Sequence, residues 1–164
     1  MSPRASTPDD TPLLFSPSIP VQKTGRIRKT ALRDFLDEVT RRVTKGRVIS
    51  CLITNDAELR RLNKQYRRKD YATDVLSFPA GDHNGLPKSN AGDLAISIDR
   101  ARAQAAEHGH SLDMELRILM LHGALHLAGM DHELDAGEMA RAEARWRKKL
   151  GLPSGLIERS GHPQ

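Results

Sequence analysis

The order of apolar and polar positions predicts the secondary structure of this chain. Residues 30–43 carry apolar side chains three and four positions apart (Leu32, Phe35, Leu36, Val39), which is typical of a helix with one buried face. Residues 48–54 are a β-branched and apolar run that predicts a buried strand. The same reasoning predicts strands at 75–78 and 93–98 and helices at 56–66, 99–108, 112–128 and 135–150. Three or four strands among four or five helices predict a layered α/β-type structure, whose strand order the pattern does not determine.

Both ends of the chain differ in composition from its middle. Five of the nine prolines lie in the first 20 residues, and proline at this density disfavours helices and strands, so residues 1–24 are predicted to be a mobile leader. Residues 153–164 have a similar composition and are predicted to be a mobile tail. The single folded domain is expected to span residues 25–152.

Composition narrows the class of protein. With 164 residues, 38% hydrophobic and 29% charged, the chain has the size and balance of one globular domain. Its longest uncharged apolar stretch, residues 118–130, is shorter than the ~20 residues of a membrane helix. Cys51 is the sole cysteine and lies in an apolar run, so we expect a buried, structural thiol and a cytoplasmic protein.

Three of the seven histidines lie within eleven residues, at His122, His126 and His132. The first two are four apart on a predicted helix, so their imidazoles lie on one face and can reach a single metal ion. Gly129 can take the left-handed conformation that ends a helix and lets His132 approach from another direction. Three histidines leave the fourth position of a tetrahedral ion open for water, which is typical of catalytic zinc sites.

The histidine motif is also compatible with a structural role or with a peptidase. Histidines on an apolar helix are often hydrogen-bonded core residues, but a pair at ligand spacing, followed by a glycine and a third histidine, favours metal binding. The pattern H-x-x-x-H-x-x-G-x-x-H also occurs in metzincin proteases, which carry a glutamate general base where this chain has Gly123. Its absence argues against a peptidase, although Asp131 or Glu133 remains an alternative base.

Charge is unevenly distributed. Residues 41–70 contain ten Lys and Arg against three acids, a net +7 that exceeds the +5 of the whole chain. Residues 111–138 contain six acids and one arginine, a net −5. A dense basic block indicates a polyanionic partner such as RNA, although it is also compatible with a solvated helix face. Tyr66, inside the block, and Phe78, after it, are candidates for stacking on bases. A metal with an open position beside basic side chains favours hydrolysis of a phosphodiester.

Three segments in series resemble the YbeY family of endoribonucleases: HGALHLAGMDH, LNKQYRRKDYATDVLSFP and GDLAIS, which begin at His122, Leu62 and Gly92. The resemblance covers about residues 48–150. This chain departs from the family pattern at Ala72, where proline is common, and at Met130, which is often aromatic.

The resemblance implies an α+β, zincin-like fold with a mixed sheet of about four strands packed with four or five helices. It implies one Zn²⁺ per chain, held by His122, His126 and His132, and a functionally important arginine at Arg67. The implied activity is single-strand-specific endoribonuclease cleavage in ribosomal RNA maturation and ribosome quality control. The implied partners are single-stranded RNA, ribosomal RNA and the small ribosomal subunit, with neither DNA nor a membrane expected. A zinc peptidase and a non-catalytic ribosome assembly factor with a zinc-braced fold remain the alternatives.

Overall fold

The computed structural model describes residues 13–24, 27–81, 89–130 and 136–153. Within these ranges the elements are β1 (Leu13–Phe15), α1 (Val21–Thr24), α2 (Lys29–Arg42), β2 (Val48–Thr54), α3 (Asp56–Arg67), β3 (Val75–Pro79), β4 (Asn90–Ser97), α4 (Ile98–His108), α5 (Leu112–Leu127) and α6 (Glu138–Leu150). The α+β class with a four-stranded mixed sheet is confirmed, and the five longer helices lie within three residues of their predicted bounds. The zincin-like label stays a prediction.

The sheet has the strand order β1-β2-β4-β3. β1 and β4 run parallel to the central β2, while β3 is an antiparallel edge strand next to β4. Gly92 of β4 lies close to both β3 and α5. A Cβ atom at this position would lie 2.3 Å from the carbonyl oxygen of Phe78 and 2.8 Å from the side chain of Leu127, so only glycine fits without movement. The start of β4 is thus held against both the end of β3 and the end of α5.

The two faces of the sheet are covered by different helices. α5 is apolar on nearly all sides and is buried between the sheet, α2 and α6, as expected for a helix without a polar face. On the other face α3 forms a smaller cluster in which Leu59 packs with Leu76 of β3 and Ala95 of β4. Cys51 is 2% exposed on β2, so the predicted burial of its thiol is confirmed. This arrangement leaves β3 beside both α3 and α5.

Side-chain caps fix where three of the helices begin. Asn55, Ser97 and Ser111 accept hydrogen bonds from the backbone N–H groups of Glu58, Arg100 and Met114, at the starts of α3, α4 and α5. These three helices begin at or within one residue of the predicted positions 56, 99 and 112.

The structure differs from the predicted leader from Leu13 onward. Leu13 is 2% exposed and pairs with Cys51, which adds β1 to the sheet, and Lys23 in α1 binds Asp99 at 2.8 Å. A strand of three residues is too short to show a period, and the prolines on either side of it dominate the local composition. Residues 1–12 and 154–164 lie outside the described residues.

Among the described helices, none is long and apolar enough to span a membrane.

Candidate active site

His122 and His126 lie on consecutive turns of α5, and their imidazoles converge. The two Nε2 atoms are 3.2 Å apart, and the ring centroids are separated by 4.8 Å. Two nitrogens bound to one tetrahedral zinc ion at about 2.0–2.1 Å would lie about 3.3 Å apart. The spacing of these two side chains therefore fits a shared metal ion.

His122 is oriented by a carboxylate on α6. Its Nδ1 lies 2.8 Å from Oε2 of Glu143, and both side chains are buried. When Nδ1–H donates to this carboxylate, the Nε2 lone pair is left to face a metal, as in many histidine-ligated sites. The sequence analysis did not single out Glu143. The signal in the sequence that could have identified Glu143 is its position on the same face of α6 as the apolar residues Met139 and Ala142.

The chain turns directly after the two histidines. Gly129 has φ +95°, and its N–H donates to the carbonyl oxygen of His126 at 3.0 Å, which confirms its predicted role in ending the helix. His132 lies outside the described residues, together with Asp131 and Glu133, so the third ligand and the alternative bases stay predictions. The described residues hold no group of three side chains placed to bind a metal ion.

Two further histidines show no such convergence with the site. His108 is exposed at the end of α4, and its ring stacks on that of His110 at a centroid distance of 6.0 Å. His83 and His162 lie outside the described residues.

Arg67 is placed at the free edge of β3. One of its terminal nitrogens donates to the carbonyl oxygen of Ser77 at 2.5 Å, and its Cζ lies 5.9 Å from the ring centroid of Phe78. Ser77 in turn donates its hydroxyl to the carbonyl oxygen of Gly123 at 3.3 Å. Because Gly123 follows His122 directly, β3 connects the candidate arginine to the histidine helix.

Gly123 is packed too tightly to be replaced by a larger residue without movement. A Cβ atom there would lie 2.6 Å from a methyl group of Leu94 and 3.3 Å from the hydroxyl of Ser77. The position that holds the general base in metzincins therefore faces the packed sheet in this protein. The geometry weakens the peptidase alternative further.

An open groove of about 430 Å³ adjoins Arg67 on the α3 face of the sheet. Its wall includes Tyr66 and Phe78, whose rings meet edge to face with centroids 5.5 Å apart. Tyr66 is 62% exposed, so one aromatic surface is available to a ligand. The remaining lining is largely apolar, with the exposed carboxylate of Asp93 and the hydroxyl of Ser50 as polar groups.

Apart from Arg67, the cations of α3 and of the two residues that follow it fall into two sets. Arg60 and Arg61 bind Asp70 and Glu58 at 2.7 and 2.6 Å, and the bond from Arg60 lowers the pKa of Asp70. Lys64, Arg68 and Lys69 are exposed and form no ion pair with another described residue. The positive charge next to the groove therefore exceeds what the nearby acids neutralise.

Comparison with known proteins identifies the family. The model of the family "Endoribonuclease YbeY" matches residues 18–151. The chain is 59% identical over 133 residues to the Endoribonuclease YbeY of Solibacter usitatus, covering 81% of this chain and 86% of that protein. It is 50% identical over 142 residues to that of Koribacter versatilis, covering 87% and 90%. The solution structure of TM1509 from Thermotoga maritima shares the fold, with a TM-score of 0.54 and 22% identity over 84% of this chain and 88% of that one. The chain belongs to the YbeY family of endoribonucleases.

Proposed function

We propose that this protein is a zinc-dependent, single-strand-specific endoribonuclease that acts in ribosomal RNA maturation and ribosome quality control in the cytoplasm. The observation that carries the metal dependence is the 3.2 Å separation of the Nε2 atoms of His122 and His126. The family supports the class of reaction. The ribosomal RNA and the small ribosomal subunit are the proposed partners.

The residues present fit a zinc ion. His122, His126 and His132 would hold it, since imidazole nitrogen is a preferred zinc ligand and the first two nitrogens already have the required spacing. When bound, the ion supplies Lewis acidity toward a phosphoryl oxygen and a more acidic bound water. Glu143 keeps His122 in the tautomer and orientation that such binding requires.

Arg67 is proposed to position the scissile phosphate. A guanidinium has five N–H donors, and Ser77 is the one hydrogen-bond acceptor that it meets among the described residues. The remaining donors suit the non-bridging oxygens of a phosphodiester and stabilise the charge that develops on them. The nucleophile is a water molecule or the 2′-hydroxyl of the RNA, and a 2′,3′-cyclic phosphate product would identify the latter.

The groove beside Arg67 supports the proposed preference for single strands. Tyr66 and Phe78 offer aromatic surfaces on which an unpaired base can stack. In a duplex the bases are already stacked and paired, so they cannot enter without an unfavourable opening step.

The first test measures zinc content and cleavage of single-stranded RNA on the same purified samples. The wild type is expected to hold one zinc per chain and to cleave, while His126→Ala loses both. His108→Ala is the matched control, because His108 is an exposed histidine at the end of another helix, and it is expected to retain both. Full cleavage by metal-free protein would contradict zinc dependence, and cleavage of unstructured peptides would favour the peptidase.

The second test separates catalysis from assembly. Arg67→Ala is expected to keep its zinc and to lose cleavage by about 10²-fold, since it removes a charge-stabilising donor. Arg61→Ala, which removes an exposed arginine of α3 that is paired with Glu58, is expected to cleave like the wild type. RNA binding and cellular rescue that survive Arg67→Ala unchanged would favour the non-catalytic assembly factor.

A further inference from the structure

Two segments that are distant in sequence carry cations and no acids. Residues 41–47 contain Arg41, Arg42, Lys45 and Arg47 at the end of α2 and in the turn that follows it. Residues 144–150 contain four more, Arg145, Arg147, Lys148 and Lys149, at the end of α6. The first segment belongs to the basic block seen in the sequence, but the second does not.

Trp146 brings the two segments together. The Cζ atom of Arg42 lies 5.4 Å from the centroid of its ring, and the Nζ atom of Lys149 lies 4.8 Å from it. The indole is partly exposed and packs at the edge of the hydrophobic core, which fixes its position. We call residues 41–47 and 144–150 together the Trp146 surface.

The turn in this surface is held rigidly. Thr44 is 1% exposed, and its hydroxyl lies 3.0 Å from the carbonyl oxygen of Thr40 and 2.7 Å from that of Arg47. Arg42 binds Glu38 at 3.1 Å, so that one cation is partly neutralised. Lys45 is exposed in this turn and Arg47 is half-buried.

Helix stability explains only part of this arrangement. Cations in the last turns of α2 and α6 interact favourably with the helix dipoles. That effect does not account for Lys45 and Arg47, which follow the end of α2, or for the convergence of both segments on one aromatic ring. A rigid cluster of cations around a partly exposed indole has the chemistry of an RNA-binding surface.

We propose that the Trp146 surface binds the phosphate backbone of an RNA substrate beyond the nucleotides in the candidate active site. This proposal rests on the proposed function, in which RNA is the substrate. On α6, Glu143, which holds His122, and Trp146 are three residues apart, or about 4.5 Å along the helix axis. RNA is favoured over an acidic protein or an anionic membrane because the family acts on RNA and an indole stacks on bases.

The chain provides its own reporter, because Trp146 is its single tryptophan. The probes are uncleavable 2′-O-methyl RNA single strands of about 4 and about 16 nucleotides, the range covered by known single-strand sites. The longer strand is expected to quench the tryptophan fluorescence and the shorter one to leave it unchanged. Binding of the longer strand without any change in fluorescence would overturn the proposal, as would quenching by polyglutamate or anionic vesicles but not by RNA.

Matched double variants test the charges. The test variant combines Lys148→Gln with Lys149→Gln and removes two exposed cations from the end of α6. The control variant combines Arg28→Gln with Lys29→Gln and removes two exposed cations at the start of α2. The first pair is expected to weaken binding of the longer strand about tenfold and to lower the slope of log K against log salt by about 1.4, or about 0.7 per lost phosphate contact. Equal effects of the two pairs would overturn the proposal.

Cleavage of a short, unmodified RNA separates this proposal from the proposed function. The Lys148/Lys149 double variant is expected to cleave it like the wild type, because a short strand held in the candidate active site leaves too few nucleotides to contact both segments of the Trp146 surface. If the wild type cleaves neither this RNA nor a longer unmodified single strand, the proposed function fails, while the fluorescence and salt measurements still decide whether the surface binds RNA.

Discussion

His122 obtains its proposed role from a residue that is distant in sequence. Its position in an i, i+4 pair with His126 already predicts that both rings share one face of α5. The carboxylate of Glu143, 21 residues further along, binds Nδ1 of His122 and so leaves its Nε2 facing His126. The proposed pair of metal ligands needs both the local spacing and the distant hydrogen bond.

Replacing Glu143 tests this dependence. Glu143→Gln keeps the size and a hydrogen-bond acceptor but removes the negative charge, so we expect zinc affinity to fall about 10-fold or more. Competition with a chromophoric chelator measures it. Glu107→Gln, an exposed carboxylate on α4, is the control and is expected to have no effect. Unchanged affinity in Glu143→Gln would remove Glu143 from the site.

Burial makes Cys51 unreactive. Desolvation raises the pKa of its thiol to about 12, so about one molecule in 10⁴ carries a thiolate at pH 8. We expect no reaction with a thiol reagent in the native state and one thiol per chain after denaturation. Ser89→Cys, at an exposed position, is the control that should react while folded. Rapid labelling of native Cys51 would show that β2 opens readily.

β3 is the element that connects the two halves of the candidate site. It is an edge strand, and the carbonyl oxygen of its Ser77 accepts a hydrogen bond from Arg67 of α3. The hydroxyl of Ser77 donates a hydrogen bond to the carbonyl oxygen of Gly123 on α5. The basic block of the sequence is divided by β2, since residues 41–47 precede that strand and the cations of α3 follow it. One charged segment therefore supplies cations to two different regions of the surface.

Gly92 tests how tightly β3, β4 and α5 are packed. Gly92→Ala would place a Cβ atom 2.3 Å from a backbone oxygen at φ +140°, so we expect a loss of about 3 kcal/mol in the free energy of unfolding. Urea titration measures it. Gly81→Ala, where a Cβ atom meets no atom within 4 Å, should change stability by no more than about 0.5 kcal/mol. Equal stability of the two variants would contradict the close packing.

For the whole molecule, the polar network around Asp99 joins three separate helices. Asp99 of α4 accepts hydrogen bonds from Lys23 of α1 at 2.8 Å and from the backbone N–H of Asp56 at the start of α3 at 3.0 Å. Arg102 of α4 also donates to the backbone carbonyl of Lys23. The segment that composition alone assigned to a leader is thereby fixed to the domain.

This network predicts a pH dependence with a definite sign. The hydrogen bond from Lys23 lowers the pKa of Asp99, so its ionised form stabilises the fold above about pH 4, and this stabilisation is lost as the pH falls through the lowered pKa. Asp99→Asn should therefore be less stable than the wild type at pH 7, with a smaller difference at pH 3, as measured by urea midpoints.

Asp37 is the control of opposite sign. Partial desolvation of this exposed carboxyl, followed by repulsion from Asp34, raises the pKa of Asp37, so its ionised form opposes folding above about pH 4. Asp37→Asn should then be slightly more stable than the wild type at pH 7 and equal to it at pH 3. The same pH profile for both variants would contradict the two assignments.

The sequence alone determined the features that depend on neighbours within one or two turns of chain. The helix over α2, the strand over β2 and the pairing of His122 with His126 follow from periods and from side chains close in sequence. The family and its implied arginine also followed, because three motifs occur in series, although the roles of Arg67 and His132 stay predictions.

Only the tertiary structure decided which distant segments meet. The strand order, the pairing of Leu13 with Cys51, the contact of Glu143 with His122 and the placement of Trp146 between Arg42 and Lys149 are all of this kind. Each joins parts of the chain that no periodic pattern relates. Their meeting depends on how whole elements bury their apolar faces against one another, and that free energy belongs to the assembled core rather than to any local segment.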